Sequence, residues 1–223
     1  VSSTGLDWKV ALAKRGGTSF SAGKPKGSVH VETTERGRET ISVPARVAKL
    51  LDAKQKAGEL EPESRAELMY EVKRVSLASA KRRLAELVDK RDYASHEAAR
   101  KLRLDGYGSQ VTSEAVAWAE DAGLIDNGRF ADVFIRTKLA AGWGQRRIER
   151  ELGERGISCE DVEGWPYEYL DPDDELSRAI EVAGRKRVTG ANQTQKMARF
   201  LVGRGFSASV AFDAARRVLE DEE

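Results

Sequence analysis

Only one cysteine, Cys159, stands among the 223 residues, so the chain holds no disulfide framework of its own. A reducing compartment is the simplest reading. Long apolar runs are missing as well. None approaches the length of a membrane span, and the first residues lack the continuous apolar core of a secretion signal. His30 and His96 stand alone, with no second histidine or cysteine pair at metal-ligand spacing. Cys159 has no histidine near it in sequence and reads as a small, partly buried residue rather than a nucleophile. No glycine-rich turn carries the Lys-Ser/Thr pair of a phosphate-binding loop. The expectation is a non-enzymatic cytoplasmic protein that needs no metal or cofactor. An excess of one charge is missing too. Charged residues make up 34% of the chain, yet the net charge is +1, which argues against simple coating of naked nucleic acid and for a mixed, patterned surface.

What is present falls into two styles. Residues 1–60 form one. "RGGTSFSAGKPKG" (15–27) reads as a mobile loop or linker, and the basic stretch 16–31, with Lys24 and Lys26, as a basic arm or, more simply, a disordered tail. Alternation around Val29, Val31 and Thr33, and again around Thr40, Ile41 and Val43, predicts a hairpin turning at Glu35-Arg36-Gly37. A hairpin cannot stand alone, so a helix opening at Pro44 and ending before Gly58 should pack on it. From Pro62 onward the pattern is helical. Leu68, Val72, Val75, Ala80, Leu84, Leu87 and Val88 make one stripe, and glycines then punctuate the chain at helical lengths.

Three segments repeat one grammar: "ARKLRLDGY" (99–107), "ERELGERGI" (149–157) and "ARFLVGRGF" (198–206). Leu102, Leu152 and Leu201 align, at intervals of 50 and then 49 residues, the signature of a tandem array. Gly106, Gly156 and Gly205 follow, then Tyr107, Ile157 and Phe206, while Ala98, Ile148 and Met197 lie one turn before each leucine. The leucine buries a short helix, the glycine ends it in the left-handed conformation, and the next residue folds back as the apolar contact. Each unit is too small to bury its own face, so neighbours must share a core. Arg100, Arg150 and Arg199 stand two residues before each leucine, about 200° around the helix and away from that core. Burial does not explain them. A shared contact role and a merely solvated, helix-favouring surface both stay open. Asp126 is a natural N-cap for a helix bearing Phe130, Phe134 and Ile135 and stopping at Gly142. Arg146 and Arg147 open the next helix, where basic residues oppose the dipole.

"RDYASHEAARKLRLDGY", "GLIDNGRFADVFIRTK", "GWGQRRIERELGERGI" and "KMARFLVGRGFS" resemble, in order and spacing, the RecX family of bacterial regulatory proteins, over about residues 84–219. The resemblance implies three tandem three-helix units in an elongated, curved molecule. It also implies binding in the groove of the RecA filament on single-stranded DNA, with inhibition of recombinase, ATPase and coprotease activities. Where the family carries two acids after Leu-Ile, this chain has Asp126 followed by Asn127 and Gly128, so the second carboxylate is absent.

The fold expected is therefore mainly α: tandem three-helix repeats at 61–125, 126–170 and 171–223, after a small α+β module at 1–60. Charge is blocked along the last two repeats. Between Ile157 and Ser177 there are eight acids and no Lys or Arg; from Gly184 to Phe212 there are six bases and no acid. Such reversal suits docking on a surface that is itself mixed, such as a nucleoprotein filament. The residues expected to meet the filament or its phosphates are Arg100, Lys101, Arg146, Arg147, Arg150, Arg185, Lys186, Arg187, Lys196 and Arg199. Trp118, Trp143 and Trp165 read as packing residues rather than base-stacking platforms. The leading function is a monomeric regulator of RecA filaments. Its competitors are a helical-repeat module binding nucleic acid directly, which the interleaved acids weaken, and a structural scaffold, which would need large exposed apolar patches.

Overall fold

A computed structural model of the chain describes residues 6–13, 26–171 and 174–220. Its contacts divide into two compact units, with the boundary between Ile125 and Asp126. The first unit opens with an antiparallel sheet in the order β1 (Asp7–Ala11), β2 (Lys26–Thr33), β3 (Gly37–Pro44). The hairpin expected around Glu35-Arg36-Gly37 is β2–β3; β1 is an addition, a five-residue strand too short to signal itself by alternation. Lys26 and Gly27 belong to β2 rather than to a linker, and 26–31 is strand rather than tail, while Lys24 lies outside the described residues. The reason is pairing. Gly27 faces Val43 across the ladder and presses against Ala48 of the following helix, where a Cβ would collide. Trp8, Val29, Val31 and Val43 point inward, onto α1 (Ala45–Lys56), whose Val47, Ala48 and Leu51 are buried. Pro44 is the residue before α1 and not its first helical one.

α2 (Arg65–Val88) begins at Ser64, whose hydroxyl accepts from the Glu67 amide at 3.2 Å, while the Glu67 carboxylate accepts from the Glu63 amide at 2.8 Å. Its stripe packs against α3 (Ser95–Leu104) and α4 (Ser109–Asp121), and the sheet and α1 share the same continuous core. Polar ties hold α1 and α3 to α2. Arg46 grips Glu86 with two hydrogen bonds of 2.9 and 2.7 Å, and Arg83 reaches Asp105 at 2.7 Å. The hydrogen bond from Arg46, opposed by burial and helped by the charges of Arg46, Arg82 and Arg83, holds the Glu86 carboxyl down to about 2. A carboxylate depressed in the folded state adds stability above its unfolded value, ordinarily near 4.3, and loses it as pH falls toward the folded one. The melting temperature should therefore drop between about pH 5 and pH 2. Glu86→Gln should flatten that slope; an unchanged acid limb in thermal melts would remove Glu86 from the cause.

The second unit holds α5 (Asn127–Ala140), α6 (Gln145–Gly153), a 3-10 turn at Cys159–Asp161, α7 (Glu175–Gly184), α8 (Gln193–Arg204) and α9 (Ala208–Glu220). Asp126 caps α5, accepting from the Arg129 amide at 2.9 Å. The fold is thus mainly α and repetitive, with α2–α4 and α7–α9 as full three-helix units. The second repeat departs from the expected third helix. After Ile157 the chain runs through the 3-10 turn and a series of tight turns, with Gly164 at φ +74° and Pro166 two residues on. Neither residue favours a helix interior, so Val162 and Leu170 are buried from turns instead. Tyr169 pins the segment to α5, donating to Asp132 at 2.9 Å.

The repeated grammar is a helix stop made three times. Leu102, Leu152 and Leu201 are fully buried, as are Ala98, Ile148 and, very nearly, Met197. Gly106, Gly156 and Gly205 take φ of +97°, +75° and +99°. The amides of Tyr107, Ile157 and Phe206 donate to the carbonyls of Leu102, Leu152 and Leu201 at 3.1, 3.0 and 3.2 Å. This is the Schellman arrangement, with the leucine at C3 and the apolar residue at C″, so one side-chain pair closes both the hydrogen bonding and the core.

Candidate functional site

Arg100, Arg150 and Arg199 are all exposed, on the outer faces of α3, α6 and α8, and none forms an ion pair among the described residues. The half-turn offset from the buried leucine is what turns them out. Lys101 is half-buried beside Arg100. Arg146 and Arg187 are exposed and unpaired among the described residues. Arg185 is paired with Glu181, Lys186 lies 5.7 Å from the centre of the Phe200 ring, and Lys196 donates to the Thr189 carbonyl at 2.9 Å. Arg100 and Lys101 belong to the first unit and the other eight candidates to the second.

Within the second unit, the start of α6 sits on the end of α8. The Gly144 amide donates to the Arg204 carbonyl at 2.9 Å and the Arg146 amide to the Gly205 carbonyl at 3.2 Å. Arg204 answers by donating to the Ala141 carbonyl at 3.0 Å, and Arg178 donates to the Trp143 carbonyl at 2.8 Å. The free amides of one helix are thereby met by the free carbonyls of another, positive dipole end on negative. This offsets the cost of Arg146 and Arg147 in the first turn of α6. Arg147 is not the purely outward residue its position implies. Its guanidinium stacks 3.8 Å from the Trp143 ring centre and donates to the Gly203 carbonyl at 3.4 Å, with Nε buried and unpartnered. Its aliphatic stem packs on Gly205.

The same region contains cations absent from the sequence-based set. Lys138 lies 5.3 Å from the Phe134 ring centre and 4.9 Å from that of Trp143, and Arg204 lies 5.2 Å from that of Phe200. A signal for them exists: Phe134/Lys138, Trp143/Arg147 and Phe200/Arg204 each set a cation four residues after a ring. For Phe134/Lys138 in α5 and Phe200/Arg204 in α8, four residues is one helical turn, which brings the cation back over the ring; Trp143 precedes α6, and Arg147 meets its ring from the first turn of that helix. Trp118 is half-buried against the core with Lys81 at 4.9 Å, and Trp165 donates to Glu149 at 3.3 Å, so both are engaged in packing. Of the acidic block, Glu160, Asp161, Glu163, Glu168 and Asp171 are exposed on the turn segment, Glu175 opens α7, and Asp173 lies outside the described residues.

Burial, and then the charge of Glu149, push the Cys159 thiol up to about 11, so it stays protonated and unreactive at neutral pH. Among the described residues no group of His, Cys, Asp or Glu is placed to hold a metal ion, and no helix is long and apolar enough to cross a membrane.

The family model described as RecX, second three-helix domain, matches residues 126–164, which span α5, α6 and the 3-10 turn. The regulatory protein RecX of Vibrio vulnificus is 33% identical over 150 residues, covering 66% of this chain and 94% of that protein. The RecX of Halorhodospira halophila is 32% identical over 143 residues, covering 61% of this chain and 86% of its own. A crystal structure of regulatory protein RecX aligns with a TM-score of 0.55 at 17% identity, over 92% of this chain and 96% of that one. The RecX structure from Lactobacillus salivarius aligns with a TM-score of 0.52 at 18% identity, over 64% of this chain and 96% of that one. These structural likenesses support the shared fold.

Proposed function

The chain belongs to the RecX family of regulatory proteins, and from that premise we propose that it binds the RecA filament on single-stranded DNA and inhibits its recombinase, ATPase and coprotease activities. It acts in the cytoplasm, as a monomer and without catalysis of its own, in homologous recombination, DNA repair and the SOS response. The observation that carries this reading is the recurrence of an exposed, unpaired arginine at one register position in each repeat: Arg100, Arg150 and Arg199. Repeated units offer repeated contacts, and a filament is a repeated target. Arg146, Arg185, Lys186, Arg187 and Lys196 add to the attraction, as does Lys101.

The test is a RecA ATPase assay on single-stranded DNA, titrated with the wild-type chain and with Arg100→Ala/Arg150→Ala/Arg199→Ala. The wild type should slow hydrolysis. Each rim charge is worth about 0.5 kcal/mol, so losing three should raise the concentration for half-inhibition roughly tenfold. The melting temperature should hardly move, because none of the three carries core packing. A wild-type chain without effect on hydrolysis would refute the function; a well-folded triple variant as potent as wild type would refute the site.

A further inference from the structure

The first unit leaves one sheet edge open beside an apolar groove. β2 lies at the centre of the sheet, so β3 is paired on one side only. Among the described residues no backbone group of Gly37–Pro44 bonds outside the sheet. Every second residue of an antiparallel edge strand turns its N–H and its C=O outward. Such edges are usually blunted by a charge, a proline or a covering segment. Here Glu39, on the inner face opposite Val31 and held by Arg65, blunts the half near Gly37. Thr40, Ile41, Ser42 and Val43 carry no such guard. Beside them runs a groove of about 550 Å³, walled by Ile41, Val43, Met69, Tyr70, Tyr107 and Val111. Val43 and Tyr107 are buried and Ile41 and Val111 half-buried, whereas Tyr70 stands 66% exposed on α2.

We propose that this edge and its groove dock an extended peptide segment of a partner protein, in which apolar and polar residues alternate after an acidic one. A strand added to β3 extends the ladder, and its alternate side chains fall on the groove side. An aliphatic ligand would use the walls and leave the ladder empty. A second copy of β3 has no apolar side chains to offer, because its Ile41 and Val43 already turn toward its own core. The acidic residue answers the charge at the Pro44 end of the groove. There the exposed Lys26, paired across from Pro44, lays its stem along Gly106 and meets no carboxylate among the described residues. The first turn of α4, which holds no acid, adds to the same sign. Lys73, the other lysine of the groove, is closed by Glu114 at 2.8 Å. Antiparallel addition, the more stable kind, places the acid before the apolar alternation.

The full chain is titrated into a fluorescein-labelled peptide of two glutamates followed by alternating threonine and valine, and anisotropy is read at low salt. Saturable binding is expected. Two prolines in place of a central valine and its neighbour remove a ladder donor whichever residue faces β3, and should weaken binding about tenfold. Tyr70→Ser takes a groove wall from an exposed position, so it should weaken binding several-fold and leave the thermal melt unchanged. Lys26→Gln should abolish the preference for this peptide over one headed by two glutamines, without lowering affinity for the latter. Absence of binding, equal binding of the proline peptide, or a glutamate preference that survives Lys26→Gln would overturn the assignment. So would displacement of the peptide by decanoate at a lower concentration than by unlabelled peptide, which would give the groove to an aliphatic ligand. Self-association of the free chain in sedimentation, abolished by Tyr70→Ser, would give it to a second copy and overturn the assignment equally. None of these outcomes bears on inhibition of RecA.

Discussion

Leu152→Ala should cost the second unit about 2–5 kcal/mol, whereas Arg150→Ala, two residues earlier on the same helix, should change stability by about 0.5 kcal/mol or less. Leu152 is fully buried on a nine-residue helix, and it sits at the C3 position of the stop that closes at Gly156 and Ile157. Truncation removes its own transfer energy and leaves a hole, and it strips Ile157 of the contact that fastens the turn. α6 is too short to compensate by propensity, since isolated helices of this length are marginal in water. Thermal or urea melts of the two variants decide the matter. Equal shifts would mean that the helix face has been assigned wrongly.

Gly205→Ala should be as damaging, by about 2–5 kcal/mol, from a different cause. The φ of +99° places any side chain in a conformation that L-residues avoid, and the added Cβ would lie 2.5 Å from the Arg147 amide nitrogen. Gly144→Ala attacks the same joint from the other side, where its Cβ would lie 2.5 Å from both the Gly205 oxygen and the Phe206 nitrogen. Because both variants break one seat, their double mutant should cost clearly less than the sum of the singles. Gly153→Ala supplies the contrast: its Cβ meets nothing within 4 Å, and the variant should be stabilising by up to about 1 kcal/mol. Full additivity of Gly144→Ala and Gly205→Ala would show that the two glycines do not share a contact.

The glycines show where sequence reasoning stops. Gly205 is recognisable as a helix stop from its place in the repeat, and its positive φ follows. That it also serves as the seat for Arg147, fifty-eight residues earlier, is invisible in the local pattern, because nothing in "GWGQRR" names its partner. Arg147 reads as surface for the same reason. Its neighbour Arg146 is exposed, and the Trp143 ring together with the approach of α8 separates their environments. The ring–cation pairs lie between these cases. Their four-residue spacing is present in the sequence, but its meaning depends on those cations lacking carboxylates, which is a tertiary fact.

By itself the sequence determined the helical body, the hairpin, the three helix stops, the buried leucines and the outward direction of Arg100, Arg150 and Arg199. These follow from local rules: the 3.6-residue period, the two-residue period, capping, and the freedom of glycine at positive φ. Three things were left to the tertiary structure. β1 is a strand because β2 offers its edge. The third position of the second repeat is turns because Gly164 and Pro166 disfavour a helix while Val162 and Leu170 are still buried. The role of each cation depends on whether the residue brought opposite it is a carboxylate, which cancels its charge, or a ring, which keeps it. Pairings between residues distant in the chain are set by packing, and packing is a property of the whole unit rather than of any local stretch.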